Sequence, residues 1–321
     1  MRTGEEQQLP PEQREALARA KRLAWITIAY LVSVVMLLAL VMGQSQAMKT
    51  AWIDDALSLI PSIVFLVGNR VSRWDATEQF PFGFHRASTA AYLAASVALL
   101  GTGCYLIVDS ATKLVLAEHP TIGAIDLFGH DVWLGWPMIA ALVYSGLPVI
   151  FIGRAKLPLA EALYDKVLYA DAKMDRADWL VASAAIAGIL GIGFGYWWAD
   201  PAAAILISIE ILRDGWRHLK LASFDVVDHL PRTVDGKKPD PCIERIRAAL
   251  QELDWVRESE IRLRASGRAL SGEAFVVPVS DERLTERLDE AMRRARQVDW
   301  RLHHFTVTPV RSLDAHAEED G

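Results

Sequence analysis

Acidic residues inside apolar, membrane-like segments are the first feature of this sequence that could do chemistry. The stretch Tyr169–Ala185, YADAKMDRADWLVASAA, combines a charged first half with an apolar second half. Met174 and Asp178 are four residues apart, and Asp171 lies about one helical turn before Met174 on the same side. A charge at the bilayer centre costs about 2.5–3.5 kcal/mol on insertion scales, so these residues need a compensating role.

A second apolar segment, AWIDDALSLIPS, offers a matching pair of side chains. Asp54 and Ser58 are four residues apart and share a helix face, whereas Asp55 lies about 100° around the helix. Two helices that each present a pair at this spacing can close a four-ligand site between them. Carboxylate, hydroxyl and thioether groups all bind divalent cations, and oxygen ligands favour hard metals. The residues therefore favour a divalent-metal site within a membrane.

A purely structural interpretation of the same charges stays open at this point. A carboxylate near a helix N-terminus often caps the helix or interacts with its dipole, and Asp54 and Asp55 would then lie at the membrane interface. Arg176 could neutralise Asp175, and Lys173 could extend its ammonium group toward water. Residue types and spacing alone do not decide between the two interpretations.

The overall composition is intermediate between those of a soluble and a membrane protein. The chain has 321 residues, of which 52% are apolar and 23% are charged. Six apolar segments reach the roughly 20 residues that a spanning helix needs, and they are 23–43, 51–71, 88–112, 133–153, 167–194 and 197–217. The net charge of −6 argues against nucleic acid as a partner. Cys104 and Cys242 lie in different regions and form neither a disulfide framework nor a CxxC site.

Lysine and arginine residues predict the orientation of these spans. They cluster before the first span, between the second and third, between the fourth and fifth (Arg154 and Lys156), and after the sixth. The other loops contain few of them, so the positive-inside rule places both termini in the cytoplasm of a multi-pass protein of the cell (inner) membrane. The polar, partly acidic start of the chain is not typical of a signal peptide.

The sequence after the sixth span changes to a soluble pattern. Two stretches, PCIERIRAALQELDWV and DERLTERLDEAMRRARQ, have helical spacing of apolar residues, and SEIRLRAS, GEAFVVPVS and RLHHFTVTPV alternate like strands. The order α-β-β-α-β predicts a small α+β, ferredoxin-like domain with its helices on one face of a sheet. We predict five regions, namely a cytoplasmic tail (1–22), a six-helix transmembrane domain (23–219), a linker (220–240), the α+β domain (241–311) and an acidic tail (312–321).

Together these motifs resemble the cation diffusion facilitator family of divalent metal/proton antiporters. AWIDDALSLIPS lies where the family has its first ligand pair, and ADAKMDRADWLVAS follows the family's ADALHxxxDxxxS motif of helix five without gaps as far as Asp178. FPFGFHRAST, Phe80–Thr89, matches the loop that opens helix three, and the α-β-β-α-β pattern matches the family's dimerisation domain. The resemblance covers about residues 15–310.

The resemblance implies a metal transport site at Asp54, Ser58, Met174 and Asp178. The two aspartates match carboxylates of the family, whereas Ser58 replaces a carboxylate and Met174 replaces a histidine. Three further acids within one turn of these positions are additional candidate ligands: Asp55, Asp171 and Asp175. A carboxylate-rich set without imidazole favours Mn²⁺ or Fe²⁺, while the thioether favours softer ions, so Mn²⁺, Fe²⁺ and Zn²⁺ all stay open.

The resemblance also implies a transporter rather than an enzyme, with no cofactor beyond the transported ion. A cytoplasmic divalent ion would displace protons from the carboxylates, the bundle would switch access, and external protons would release the ion. The expected partners are the metal ion, protons, membrane lipid and a second copy of the chain in a homodimer. Arg86 is expected to pair with an acid after the sixth span, and of Asp225 and Asp228 we favour Asp228.

Two other functions use the same acids, namely an intramembrane metal-dependent enzyme and a metal-sensing membrane scaffold. The enzyme would need an additional nucleophile or base, and no such motif is visible in the sequence. Glu210 and Asp214 are assigned to the cytoplasmic end of the sixth span rather than to the site. His303 and His304, in the last predicted strand, are interpreted as structural or exposed.

Overall fold

The computed structural model of the chain describes residues 9–72, 74, 76–81, 83–84, 86–117, 122–127 and 130–313. Within these ranges a helical N-terminal part precedes a small α+β domain, as predicted. The helices of the first part are α1 (Pro11–Val41), α2 (Gln46–Leu57), α3 (Leu59–Val71), α4 (Ala87–Val115), α5 (Gly135–Leu163), α6 (Lys166–Gly193) and α7 (Ala199–Val226). An antiparallel hairpin, β1 (Ala124–Leu127) and β2 (His130–Trp133), lies between α4 and α5 and was not predicted.

Among the described residues, five helical spans are long and apolar enough to cross a membrane. They are α1, α2 together with α3, α4, α5 and α6, with 26 to 31 residues each. The predicted sixth span is the 28-residue helix α7. Its middle carries Glu210, Arg213, Asp214 and Arg217, so its composition is more polar than that of the other five. The predicted helical membrane architecture is confirmed, with one span that contains several charges.

Two helices extend beyond the predicted limits of the transmembrane domain. Helix α1 begins at Pro11, within the predicted tail 1–22, and its residue Leu17 is buried in a cluster with Phe65 and Leu163. Helix α7 continues to Val226, within the predicted linker 220–240. In both cases the extra turns contact other helices, and these packing partners cannot be recognised from local apolarity.

The second span is divided at Ser58, and Pro61 explains the break. Helix α2 ends at Leu57, and α3 begins at Leu59. In a continuous helix the ring of Pro61 would clash with the carbonyl group of Leu57, and proline has no N–H to bond with it. A new helix that begins just before the proline avoids both problems, because the first-turn N–H groups of a helix have no intrahelical partner anyway.

The N-terminus of α2 is capped by an acid from α7. The buried Asp200 accepts hydrogen bonds from the backbone N–H groups of Gln46, at 2.5 Å, and Ala47, at 3.2 Å, while Ser45 accepts one from Met48. These N–H groups have no partner within the helix, and a carboxylate at this end also complements the helix dipole. The contact ties α2 to α7.

The C-terminal domain has the predicted order α-β-β-α-β. Its elements are α8 (Cys242–Gln251), β3 (Val256–Ser266), β4 (Ala269–Pro278), α9 (Leu284–Val298) and β5 (Leu302–Pro309). Strands β3 and β4 are antiparallel and meet at a tight turn with Gly267 at φ 63°, whereas β4 and β5 are parallel. Both helices share one core with the sheet, in which Ile246, Ala291 and Phe305 are buried. The predicted α+β fold is confirmed.

Helices α4 and α7 approach each other closely at a glycine. A Cβ added at Gly103 would lie 3.0 Å from the backbone nitrogen of Leu212 and 3.1 Å from its Cα. Small residues allow the backbones of membrane helices to pack at such distances. A Cβ at Gly101, on the same helix, would meet no atom within 4 Å.

Replacing Gly103 by leucine is expected to force α4 away from α7 and to lower the thermal stability of the purified protein, because overpacking costs about 1–3 kcal/mol. Gly101→Leu is the matched control, since it adds the same side chain to the same helix where space is open. The melting midpoints of both variants and the unchanged protein in detergent measure the effect. Equal midpoints for the two variants would contradict the close contact.

Candidate metal centre

The two aspartates predicted as ligands line one small cavity within the helix bundle. Asp54 of α2 lies on its wall together with Met174 and Asp178 of α6. Each of the three residues is only 6% exposed. The tertiary structure thus brings together three of the four residues of the predicted set, from two helices that are far apart in the sequence.

The fourth residue, Ser58, lies beside this group rather than on the cavity wall. It occupies the break between α2 and α3, and its backbone N–H bonds to the carbonyl oxygen of Asp54 at 2.9 Å. Ser58 Oγ and Asp178 Oδ2 are both buried, and neither has a hydrogen-bond partner in the described part of the chain. Buried oxygens without donors are costly where the dielectric constant is low, so these atoms mark a position for an ion, a proton or water.

Two acids of α7, predicted to lie at the cytoplasmic end of the sixth span rather than in the site, also line the cavity. Asp214 is buried and accepts a hydrogen bond from Arg217 at 2.8 Å, and Glu210 lies 3.6 Å from Arg213. They are four residues apart, which is the spacing that marked the pairs on α2 and α6. That spacing was the signal that could have found them.

Asp55, an additional candidate ligand, contacts a different helix. Its Oδ2 accepts a hydrogen bond from Ser145 Oγ of α5 at 2.8 Å, and its side chain is buried. It does not belong to the residues that line the cavity of Asp54 and Asp178. The two neighbouring aspartates of α2 therefore have separate surroundings, as their angular separation on a helix predicts.

The other two additional candidates, Asp171 and Asp175, form ion pairs with a buried lysine. Lys156 Nζ lies 2.5 Å from Asp171 Oδ2 and 2.7 Å from Asp175 Oδ2. The prediction that Lys156 lies in a loop between the fourth and fifth spans is wrong, because Lys156 is inside α5 and fully buried. The side chain of Arg176, the alternative partner of Asp175, lies outside the described residues.

Within the described ranges, no three histidine, cysteine, aspartate or glutamate side chains are grouped so that they could hold a metal ion. The predicted set contains two carboxylates and completes its ligands with a hydroxyl and a thioether. His303 and His304 lie on β5 of the C-terminal domain, half-buried and exposed respectively, and each has an interaction partner.

The two parts of the chain meet at the ion pair expected between Arg86 and the end of the sixth span. Arg86 Nη2 donates a hydrogen bond to Asp228 Oδ1, and Arg264 of β3 donates to the other carboxylate oxygen at 3.1 Å. The alternative acid, Asp225, pairs with Lys166 at the start of α6, at 2.6 Å. Asp228 therefore joins the start of α4 to the C-terminal domain.

The helical membrane part followed by a small α+β domain agrees with the architecture of the family that the sequence resembles. Residues 23–225 match the family model described as the cation efflux transmembrane domain, which is more than half of the chain. The chain belongs to the cation efflux family. The resemblance to cation diffusion facilitators is confirmed, and the protein is a membrane transporter of metal cations.

Relatives of this cation efflux protein cover most of its length. An uncharacterized transporter of Bacillus subtilis, YdbO, is 25% identical over 96% of this chain and 99% of its own. The manganese efflux system protein MneS of the same organism is 24% identical over 87% of this chain and 91% of its own. A cadmium, cobalt and zinc/H⁺-K⁺ antiporter of B. subtilis is 30% identical over 80% of this chain and 75% of its own.

The junction of the cation efflux protein should depend on the charges at Arg86 and Asp228. Arg86→Glu and Asp228→Arg are each expected to lower the melting midpoint or the transport rate. The interaction free energy lost should be at most about 1 kcal/mol, because both side chains are more than a third exposed. The double charge swap should recover part of the loss.

Recovery should be incomplete, because Arg264 would then face the arginine introduced by Asp228→Arg. Adding Arg264→Gln to the double swap removes this repulsion and should increase the recovery. Strictly additive losses in the double swap would show that Arg86 and Asp228 are not coupled.

Proposed function

We propose that this cation efflux protein exports a divalent transition-metal ion from the cytoplasm in exchange for protons. The observation that carries the proposal is the shared cavity of Asp54 and Asp178, two buried carboxylates on separate helices. Metal ions and protons compete for the same carboxylate oxygens. Replacement of one by the other therefore couples metal efflux to proton uptake without a separate proton relay.

The proposed cycle is alternating access around this cavity. A metal ion from the cytoplasm displaces protons from Asp54 and Asp178, with Met174 and Ser58 as further ligands, and the bundle then opens to the outside. External protons bind the carboxylates again and release the ion. The break in the second span at Ser58 supports this cycle, because interrupted helices are typical of substrate sites in transporters.

For the transported ion we propose Mn²⁺ or Fe²⁺ ahead of Zn²⁺. The four proposed ligands include no imidazole and are dominated by oxygen, which suits harder cations, while the thioether of Met174 extends the range toward softer ions. The relative named as a manganese efflux protein supports this preference. The relative named as a cadmium, cobalt and zinc antiporter shows why direct flux measurements with several metals are needed.

We further propose a homodimer with both termini and the C-terminal domain in the cytoplasm. The lysine and arginine residues near the ends of the spans support this orientation even without Lys156, which is buried inside α5. The resemblance to the family supports assembly through the α+β domain, whose two helices share one core with the three-stranded sheet.

Removing either carboxylate should abolish transport. Asp54→Asn and Asp178→Asn keep the side-chain volume and remove the charge that binds the ion, so Mn²⁺ flux driven by a proton gradient in sealed proteoliposomes should fall to the level of empty vesicles. Asp109→Asn is the matched control, because Asp109 is an acid of α4 held by Lys113 and does not line the cavity.

Size-exclusion profiles of the three variants check that each remains folded. Normal flux in Asp54→Asn or Asp178→Asn would contradict the site. The same assay separates a transporter from an intramembrane enzyme or a sensor, because only a transporter moves metal across sealed vesicles without consuming a substrate.

The ligand types at two positions should set the metal preference. Ser58→Asp together with Met174→His introduces a carboxylate and an imidazole, the ligand set better suited to zinc, and should raise Zn²⁺ flux relative to Mn²⁺ flux. A flux panel of Mn²⁺, Fe²⁺, Co²⁺, Zn²⁺ and Cd²⁺ measures the ratio before and after the change. An unchanged ratio would mean that these two positions do not determine selectivity.

A further inference from the structure

Lys156 is a lysine of the membrane part with no solvent exposure. It belongs to α5, and its Nζ donates to Asp171 Oδ2 at 2.5 Å and to Asp175 Oδ2 at 2.7 Å, both on α6. Ser62 of α3 completes the group, because its Oγ lies 3.5 Å from Nζ and donates to the carboxylate of Asp171 at 2.9–3.0 Å. Three helices thus surround one ammonium group.

The groups around this ammonium form a ligand set for a hard cation. Asp171, Asp175 and Ser62 supply carboxylate and hydroxyl oxygens, the ligands that Mn²⁺ and Mg²⁺ prefer. Asp175 Oδ1 is buried and has no hydrogen-bond partner within the described ranges, so the ammonium leaves part of this oxygen set unsatisfied. A lysine ammonium is a compact point charge and can take the place of a small bound cation.

The cluster of Lys156, Asp171, Asp175 and Ser62 is separate from the cavity of the proposed transport site. None of its four members lines the cavity that holds Asp54 and Asp178. It is nevertheless close along α6, because Asp175 follows Met174 directly and precedes Asp178 by three residues. The cluster lies nearer than Asp178 to the turn that joins α5 and α6.

We propose that Lys156 is a tethered cation that fills a second divalent-cation site formed by Asp171, Asp175 and Ser62. Lys156 thereby withholds two buried carboxylates from exchangeable metal ions. This inference goes beyond the proposed function, because it holds whether or not Asp54 and Asp178 bind the transported metal.

The physical reason is the cost of unpaired charge in the membrane interior. Two buried carboxylates without their ammonium partner are strongly destabilising. In a variant that lacks the ammonium, a divalent ion from solution therefore gains the electrostatic interaction that Lys156 makes in the natural chain. Binding of that ion is the measurable consequence.

The test uses the purified full-length chain in detergent and counts bound Mn²⁺ by electron paramagnetic resonance of the free ion. Every variant also carries Asp54→Asn and Asp178→Asn, so that the proposed transport site does not contribute. Adding Lys156→Gln should create one Mn²⁺ equivalent per chain. Adding Lys156→Arg, the charge-preserving control, should create no additional bound Mn²⁺. Adding Asp171→Asn and Asp175→Asn to the Lys156→Gln variant should abolish the Mn²⁺ binding that Lys156→Gln creates.

A folded Lys156→Gln variant that binds no more Mn²⁺ than its Lys156 parent would overturn the inference, as would equal binding by the glutamine and arginine variants. Mn²⁺ that stays bound in the parent with Asp54→Asn and Asp178→Asn would count against the proposed transport site instead. The difference in bound Mn²⁺ between the Lys156→Gln variant and its Lys156 parent would still test the role of Lys156.

A second variant keeps the test decisive if Lys156→Gln does not fold. Lys156→Gln with Asp171→Asn removes one acid together with the ammonium, so that one carboxylate remains without a partner rather than two. Asp175 and Ser62 should then bind more Mn²⁺ than the parent does, although with the modest affinity expected of a site with one carboxylate. Binding equal to that of the parent would overturn the inference.

Discussion

The constraint on which this structure depends is that a charge inside a membrane must be compensated. A bilayer interior offers no water to solvate a carboxylate, so each buried acid needs donors, a counter-charge or a proton. The bundle supplies these compensating groups from neighbouring helices. Asp200 of α7 caps the N-terminus of α2, Ser145 of α5 donates to Asp55 of α2, and Lys156 of α5 pairs with two acids of α6. The same contacts that neutralise the acids also connect the helices to one another.

Unequal compensation is what separates structural acids from candidate transport acids. Asp171 and Asp175 are both paired with the ammonium group of Lys156, and Asp175 still keeps one buried oxygen without a hydrogen-bond partner among the described residues. Asp178 has such an oxygen too, but within the described part of the chain it has no cationic partner. Asp54 and Asp178 line one cavity, and Asp214 of α7 reaches the same cavity while it is paired with Arg217. Incomplete satisfaction of a polar group is costly for a stable fold, and this is consistent with a site whose occupant changes during a transport cycle.

The C-terminal domain is attached to the membrane part by contacts that surround the turn between α5 and α6. The guanidinium group of Arg301 lies 3.6 Å from the ring centroid of Tyr164 in that turn, and Trp300 packs against the cluster that contains Leu163. Burial alone would raise the pKa of the Asp299 carboxyl, but hydrogen bonds and the charge of Arg301 outweigh it and hold that pKa below its ordinary value. Because Arg301 and Trp300 contact the turn between α5 and α6, a motion of the C-terminal domain would act on these two helices, which carry Lys156 and its two acids.

The sequence by itself determined the helical spans, the α-β-β-α-β domain and the residue types of the candidate site, because apolar periodicity and the i, i+4 spacing of acids are local properties of a chain. Only the tertiary structure decided which acids line the same cavity or contact the same partner. Lys156 follows Arg154 in a segment that is typical of a basic loop, and its burial depends on Asp171 and Asp175 of the next helix. The acids of α7 likewise reach the cavity of Asp54 only through helix packing. Compensation of charge acts between helices, and no local pattern in the sequence records which helices are neighbours.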